Sequence, residues 1–387
     1  MFLVILLRSD STMALLARSR LLFFLISGSL VAQTLLEMPV PARPTNKPQT
    51  EQEAEIGRQR GRALPVPELL EPALDTSLHI YEPREGTSIS GTFRAAASDV
   101  LPGLVAKWIT AFRRYYPLVS IDLEPPYTGS LGAKELVKGN IDLVFVSREL
   151  KPDDIVDFKA KFGYEPLSIP ISGGSYRHFG FLDAVAFFVH PDNPLQKLGF
   201  DQLDALLSTT RHRGGGAIRT WGQLRLSGGW SNQPVHVYGI QPWNGFEEFV
   251  RQRVLSVAGR RGEWREDLNF DKVVFPVAGR VAADRLGIGY SGLAYLDAPV
   301  KLLAVGQSKD GPVYAPTYEN VALGTYPLSR LIYLNCNRRP GKPINPALGE
   351  FVKFILSREG QRIILEQGIY IPLRLAQISA AQALFEK

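Results

Sequence analysis

The sequence predicts an α/β protein, and three observations carry that prediction. From about Ile89 onward, apolar runs of strand length alternate with segments of helical period. Hydrophobic residues make up 45% of the chain and charged residues 21%, a globular rather than a disordered composition. The 387 residues suffice for two or three domains of ordinary size.

The elements follow in order. "SGTFRAAA" (90–97) reads as a strand. Leu101, Leu104, Val105, Trp108, Ile109 and Phe112 then recur at the spacing of one helix face. "VSIDLE" is a strand, "LGAKELVKG" a short helix, and "IDLVFVS" a near-continuous apolar run of the kind that buried parallel strands show. This β-α-β-α-β order predicts a parallel sheet. "DAVAFFVHPDNPL" is a strand stopped by Pro191 and Pro194, and "GFDQLDALLS" a helix. Residues 209–235 are Gly-rich and loop-like; "VHVYGI" is a strand, 246–257 a helix, and "LGIGYSGLAYL" a buried strand region. "YPLSRLIYLNCN" is a second long strand, and "NPALGEFVKFILSREGQRIILEQG" is helical with Gly368 as its stop.

The N-terminus predicts export. After Met13, Arg18 and Arg20 precede the apolar run Leu21–Ile26, followed by small residues up to Ala32. That is the order of a secretory signal peptide, and the run is short for a membrane span. Removing residues 1–32 takes away Arg8, Arg18, Arg20 and Asp10, so the formal charge falls from +6 to +4. Residues 33–88 read as a linker rich in Pro, Glu, Gln and Arg. The single cysteine, Cys336, makes neither an internal disulfide nor a multi-cysteine metal site. No cysteine follows the apolar signal to carry a lipid, and a soluble periplasmic or secreted chain is expected.

The basic residues are spread through mixed-sign sequence with no long Lys/Arg block, so nothing points to nucleic acid. His79, His178, His190, His212 and His236 show no metal-ligand spacing, and no cofactor is expected. A P-loop and a Gly-x-Ser-x-Gly nucleophile turn are both missing, which speaks against an enzyme.

Five stretches occur in one order: "AASDVLPGLVAKWITAFRRYYP", "YTGSLGAKELVKGNIDLVFVSREL", "DAVAFFVHPDNPLQKLGFDQL", "LGIGYSGLAYL" and "YPLSRLIYLN…EFVKFILSREGQRIILEQGIYIPL". Over residues 89–375 the chain resembles the phosphate-binding, substrate-binding proteins of ABC transporters. The resemblance implies a type 2 periplasmic binding protein fold: two α/β lobes, two crossing hinge strands, and the ligand in the cleft. Lobe one would be 89–183 plus 327–377 and lobe two 188–325, with crossings near Ala184–His190 and Tyr326–Asn335. It implies a monomer that captures phosphate, or an organic phosphate or carboxylate, for an ABC permease. A secreted sensor or interaction protein on the same fold, or a phosphatase-like enzyme, are the alternatives.

The resemblance also implies the site. Ser98 and Asp99 would lie on the loop after the first strand, either facing the ligand or capping the next helix. Thr128, Gly129 and Ser130 would repeat that arrangement, and Ser147 and Arg148 would end the third strand, where a guanidinium can clamp an oxyanion. In lobe two the family carries an Arg after the strand and Ser-Gly-Thr at the helix start. Here these positions are Ile240 and Asn244-Gly245-Phe246. Two hydroxyls and a guanidinium are thus gone, Glu247 and Glu248 stand in the first turn, and Trp243 and Phe246 suggest an apolar wall. Weak phosphate binding and a solute with a planar or apolar part follow as expectations, unless Tyr176, Arg177 and His178 restore the charge.

Overall fold

The computed structural model describes residues 74–84, 88–98, 100–124, 130–176, 182–242 and 244–385, Ser130 by its backbone alone. The sequence-predicted signal peptide and most of the linker lie outside these residues. Among the described residues, no helix is long and apolar enough to cross a membrane.

The first sheet holds β1 (Gly91–Ala97), β2 (Val119–Leu123), β3 (Leu143–Val146), β4 (Leu167–Gly173) and β13 (Leu331–Cys336), in the order β2-β1-β3-β13-β4. β1 pairs in parallel with both β2 and β3, as the βαβ pattern demands. β13 runs antiparallel to β3 and β4, because it is the chain's return from the other lobe. The crossover helices are α1 (Pro102–Phe112) and α2 (Ser130–Lys138), and α3 (Pro152–Phe162) leads into β4. Leu104, Val105, Trp108 and Phe112 are the buried face of α1, and the Trp108 indole N–H donates to the Gly360 carbonyl at 2.9 Å.

The second sheet has the order β10-β5-β9-β7-β8, built from β5 (Val185–Val189), β7 (His236–Ile240), β8 (Asn269–Asp271), β9 (Gly287–Gly292) and β10 (Lys301–Leu302). β7 is parallel to β8 and β9; β5 is antiparallel to β9. A small third sheet joins β6 (Lys197–Gly199), β11 (Ala304–Gly306) and β12 (Val313–Tyr314). α4 (Phe200–Leu207), α5 (Gly245–Val250), α6 (Pro276–Ala283) and α7 (Tyr318–Ala322) complete this lobe. Gly-rich 209–235 contains two 3-10 turns, with Trp221 fully buried.

Two predicted helices differ from expectation. The 246–257 helix is α only as far as Val250 and continues as a π-helical turn, Arg251–Leu255. Arg213 donates to the Arg253 and Val254 carbonyls at 2.8 and 2.6 Å, so acceptors near the turn's end find a partner outside the helix. The late helical stretch is split into α8 (Pro346–Leu356) and α9 (Arg358–Gln367). Ser357 starts the second helix by accepting from Gly360 N, and Gly368 ends it in the left-handed conformation at φ 70°. α10 (Leu375–Phe385) follows.

β5 and β13 each lie wholly inside a sheet. Among the described residues, the passages between sheets lie just ahead of them, at residues 174–176 with 182–184 and at 326–330. Gly174 N donates to the Arg330 carbonyl at 2.7 Å and Val185 N to that of Leu328 at 3.2 Å, so the two passages run side by side. A Cβ on Gly174 would meet the Leu182 carbonyl at 2.5 Å, and only glycine fits. The buried Tyr326 hydroxyl donates to the Val185 carbonyl at 2.8 Å, tying one passage to the other.

Residues 74–84, within the stretch read as a linker, are strapped onto the first lobe. Leu78 and Tyr81 are buried, and the Tyr81 hydroxyl donates to Glu350 at 2.9 Å.

Removing the Tyr326 hydroxyl tests this junction. Tyr326→Phe is expected to cost about 1–2 kcal/mol, the range for one buried hydrogen bond with its acceptor left behind. Urea unfolding should show a lower midpoint at unchanged slope.

Candidate functional site

In open α/β sheets, the loops at the carboxyl ends of parallel strands form the binding edge. β1, β2 and β3 end at Ala97, Leu123 and Val146, so Ser98, Glu124 and Ser147–Arg148 share one edge of the first sheet. Ser98 is buried; its backbone N–H donates to the Phe145 carbonyl at 2.9 Å. It does not cap α1, whose N-cap is Leu101 with no side-chain bond. Ser147 is half-buried. Asp99, Thr128, Gly129, Trp243, Arg177, His178 and the Ser130 side chain lie outside the described residues; the Ser130 backbone opens α2.

Arg148 is 6% exposed. Its Nη1 donates to the Glu149 carbonyl at 2.7 Å, and its Nη2 is buried without an acceptor. Burial pulls its pKa down, against the opposing charges of Asp154, Glu248 and Glu149. The surface ion pair that would be the ordinary role of such an arginine is not formed among the described residues.

The second sheet presents β7 and β9 to the junction. Asn244 caps α5, its side chain accepting from Phe246 N at 2.9 Å. Space above Gly245 is open. Ile240 is fully buried in the lobe core, its backbone bonded to the Tyr290 hydroxyl at 3.2 Å, so no ligand-facing side chain stands there.

Glu247 and Glu248 correct the sequence reading. They do not stand as free charges against an anion. Glu247 accepts from Arg251 Nε at 2.7 Å and from the Trp264 indole at 2.5 Å, and is fully buried. Glu248 lies 3.4 Å from the Arg261 guanidinium. Both carboxylates are neutralised inside their own lobe. Tyr176, in the passage between the sheets, is engaged with the second lobe: its hydroxyl donates to the Pro316 carbonyl at 3.2 Å and its ring packs on Tyr318 at 5.3 Å.

One residue at this junction escaped the sequence reading. Arg330, immediately before β13, is 6% exposed and its Nε reaches no acceptor. Its guanidinium lies 5.5 Å from the Phe246 ring centroid and 4.9 Å from that of Phe249. Burial lowers its pKa, opposed by Asp183 and Glu149, and it feels the like charge of Arg148. The available signal was an arginine opening an apolar strand run. A cation therefore already lies over one face of the Phe246 ring.

The lobes touch beside these arginines. Glu149 accepts from the Tyr333 hydroxyl at 2.8 Å and pairs with Arg253 of the second lobe at 3.0 Å. Gln252 donates across the gap to the Leu150 carbonyl at 3.1 Å. A groove of about 500 Å³ flanks this contact, lined by residues including Ile155, Val156, Lys159 and Val257. Among the described residues, no group of three or more His, Cys, Asp or Glu could hold a metal ion.

Glu247→Gln tests whether this carboxylate serves the fold or opposes the ligand. It leaves the buried Arg251 without its closest counter-charge, and a loss of about 3 kcal/mol in denaturant stability is expected. A variant of unchanged stability that binds anions more tightly would contradict the assignment.

Residues 82–359 match the family described as "PBP superfamily domain". The chain is 34% identical over 303 residues to the phosphate-binding protein PstS of Pseudomonas aeruginosa, covering 78% of this chain and 88% of that one. It is 24% identical over 281 residues to PstS of Staphylococcus epidermidis, covering 72% and 78%. Among solved structures, PstS from Borrelia burgdorferi aligns at 16% identity and a TM-score of 0.49, over 74% of this chain and 100% of the other. On the extent of the superfamily match and the identity to the Pseudomonas protein, the chain belongs to the PBP superfamily and, within it, to the family of the phosphate-binding protein PstS.

Proposed function

We propose that this protein is an extracytoplasmic solute-binding protein that takes inorganic phosphate into the cleft between its lobes and delivers it to an ABC transporter. Lobe one is assigned to 89–183 plus 327–377 and lobe two to 188–325. The observation that carries the reading is Arg148. A guanidinium held out of water with a nitrogen unbonded is costly unless an anion completes it. It stands at the carboxyl edge of the first sheet, where open α/β sheets bind their ligands. Ser98, Asp99, Thr128, Gly129, Ser130 and Ser147 are assigned to the same side of the anion, and Asn244, Gly245 and Phe246, with Trp243, to the other. A binding role, not catalysis, fits the family.

Inorganic phosphate is favoured over a phosphorylated or carboxylated organic solute because of what covers Phe246. The ring that would have received a planar group carries Arg330 instead.

Calorimetric titration with inorganic phosphate should show one saturable site. Arg148→Ala should weaken it about ten- to hundredfold, the value of a hydrogen bond to a charged group of about 1.5–3 kcal/mol. Unchanged affinity in that variant would remove the assignment.

Export is part of the proposal. N-terminal sequencing of the protein from its own cell should begin near Gln33; a cytoplasmic chain still carrying Met13 would contradict it.

A further inference from the structure

We infer that Arg330 is the second cation of the phosphate site, supplied by the crossing segment in place of the second-lobe arginine, and that Phe246 is its positioning residue. The inference rests on the phosphate-binding reading above and adds a residue that the sequence did not single out.

Register places Arg330 at the site. Tyr333 pairs with Val146, so the residues before β13 extend past the carboxyl end of β3, beside Ser147 and Arg148. On the other side, the Arg330 carbonyl accepts from Gly174 N at 2.7 Å. Its backbone is thus fixed where the lobes meet.

The surroundings hold the guanidinium without neutralising it. Among the described residues it forms no ion pair, and its buried Nε has no acceptor. The carboxylates whose charge it feels have other donors. Glu149 Oε1 takes the Tyr333 hydroxyl at 2.8 Å and Arg253 at 3.0 Å; Asp183 Oδ2 takes the Ala294 N–H at 2.8 Å. What lies over the plane is aromatic: Phe246 and Phe249, both from α5. A ring face attracts a cation through its quadrupole and carries no net charge, so the positive charge remains available to a ligand.

The end of β9 is shaped for the same arrangement. A Cβ on Gly292 would stand 2.2 Å from Asp183 Oδ2 and 2.7 Å from the Phe246 ring. The bare glycine lets carboxylate and ring pack closely there. In this design Ile240 has no need to be an arginine, and the phenyl group in place of a hydroxyl at 246 has a use. Two planar guanidiniums, Arg148 from the first lobe and Arg330 from the crossing, match the paired oxygens of a tetrahedral dianion.

The test is calorimetry with inorganic phosphate on the mature chain, alongside urea unfolding without ligand. Arg330→Gln should weaken phosphate about ten- to hundredfold. Its stability without ligand should be unchanged or higher, because an unpaired buried charge has gone. Arg330→Lys keeps the charge without the planar fork and should recover only part of the affinity. Phe246→Leu should weaken phosphate several-fold, whereas Phe246→Tyr, which keeps the ring face, should bind as the parent does. Equal affinity in the parent and Arg330→Gln would overturn the inference while leaving phosphate as the ligand. So would an Arg330→Gln variant that loses stability without ligand, since that marks a structural ion. A parent protein that binds no phosphate would overturn the functional reading and this inference together.

Discussion

Positive charge held out of water at the meeting of two sheets is the constraint on which this junction depends. Burying an ion costs several kcal/mol even after the protein relaxes around it. Arg148 and Arg330 are both 6% exposed, and neither forms an ion pair among the described residues. Carboxylates are close enough to oppose the burial: Glu149 and Glu248 are bonded to Arg253 and Arg261, and Asp154, the largest opposing charge on Arg148, forms no ion pair with it. On the proposed reading, an oxyanion with several lone pairs completes the bonds that Arg148 Nη2 and Arg330 Nε leave unmade. Binding and folding are linked here by one electrostatic term.

On the proposed reading, the ligand touches both sides of the junction. Arg148 belongs to the first sheet, Phe246 and Phe249 to the second lobe, and Arg330 to the passage between them. Among the described residues, the direct ties across the gap include one ion pair with both side chains about a third exposed, and one hydrogen bond from Gln252. Exposed pairs of that kind contribute about 0–1 kcal/mol.

Much of the frame was visible in the sequence, because it depends on local pattern. The Trp108 helix face, the apolar β3 run and the Gly368 stop all follow from spacing and residue type. What escaped depends on partners far away in the chain. β4 carries Pro170, and β10 and β12 are two residues each, so their pairing is set by the sheets around them. The π turn after α5 ends near carbonyls that Arg213 reaches from another loop. The glutamates of α5 read as repulsive in a one-dimensional helix-end argument. Arg251 and Trp264 reverse that reading through contacts that no local window contains. Arg330 was hidden for the same reason: its position is fixed by strand register and by rings on a distant helix.

A crystal structure with inorganic phosphate bound tests the central claim most directly. The account predicts one phosphate between the lobes, with oxygens within hydrogen-bond distance, about 2.7–3.2 Å, of Arg148 Nη2 and Arg330 Nε. Phosphate seated elsewhere, for instance in the groove beside Val156, with both nitrogens still unbonded, would contradict it.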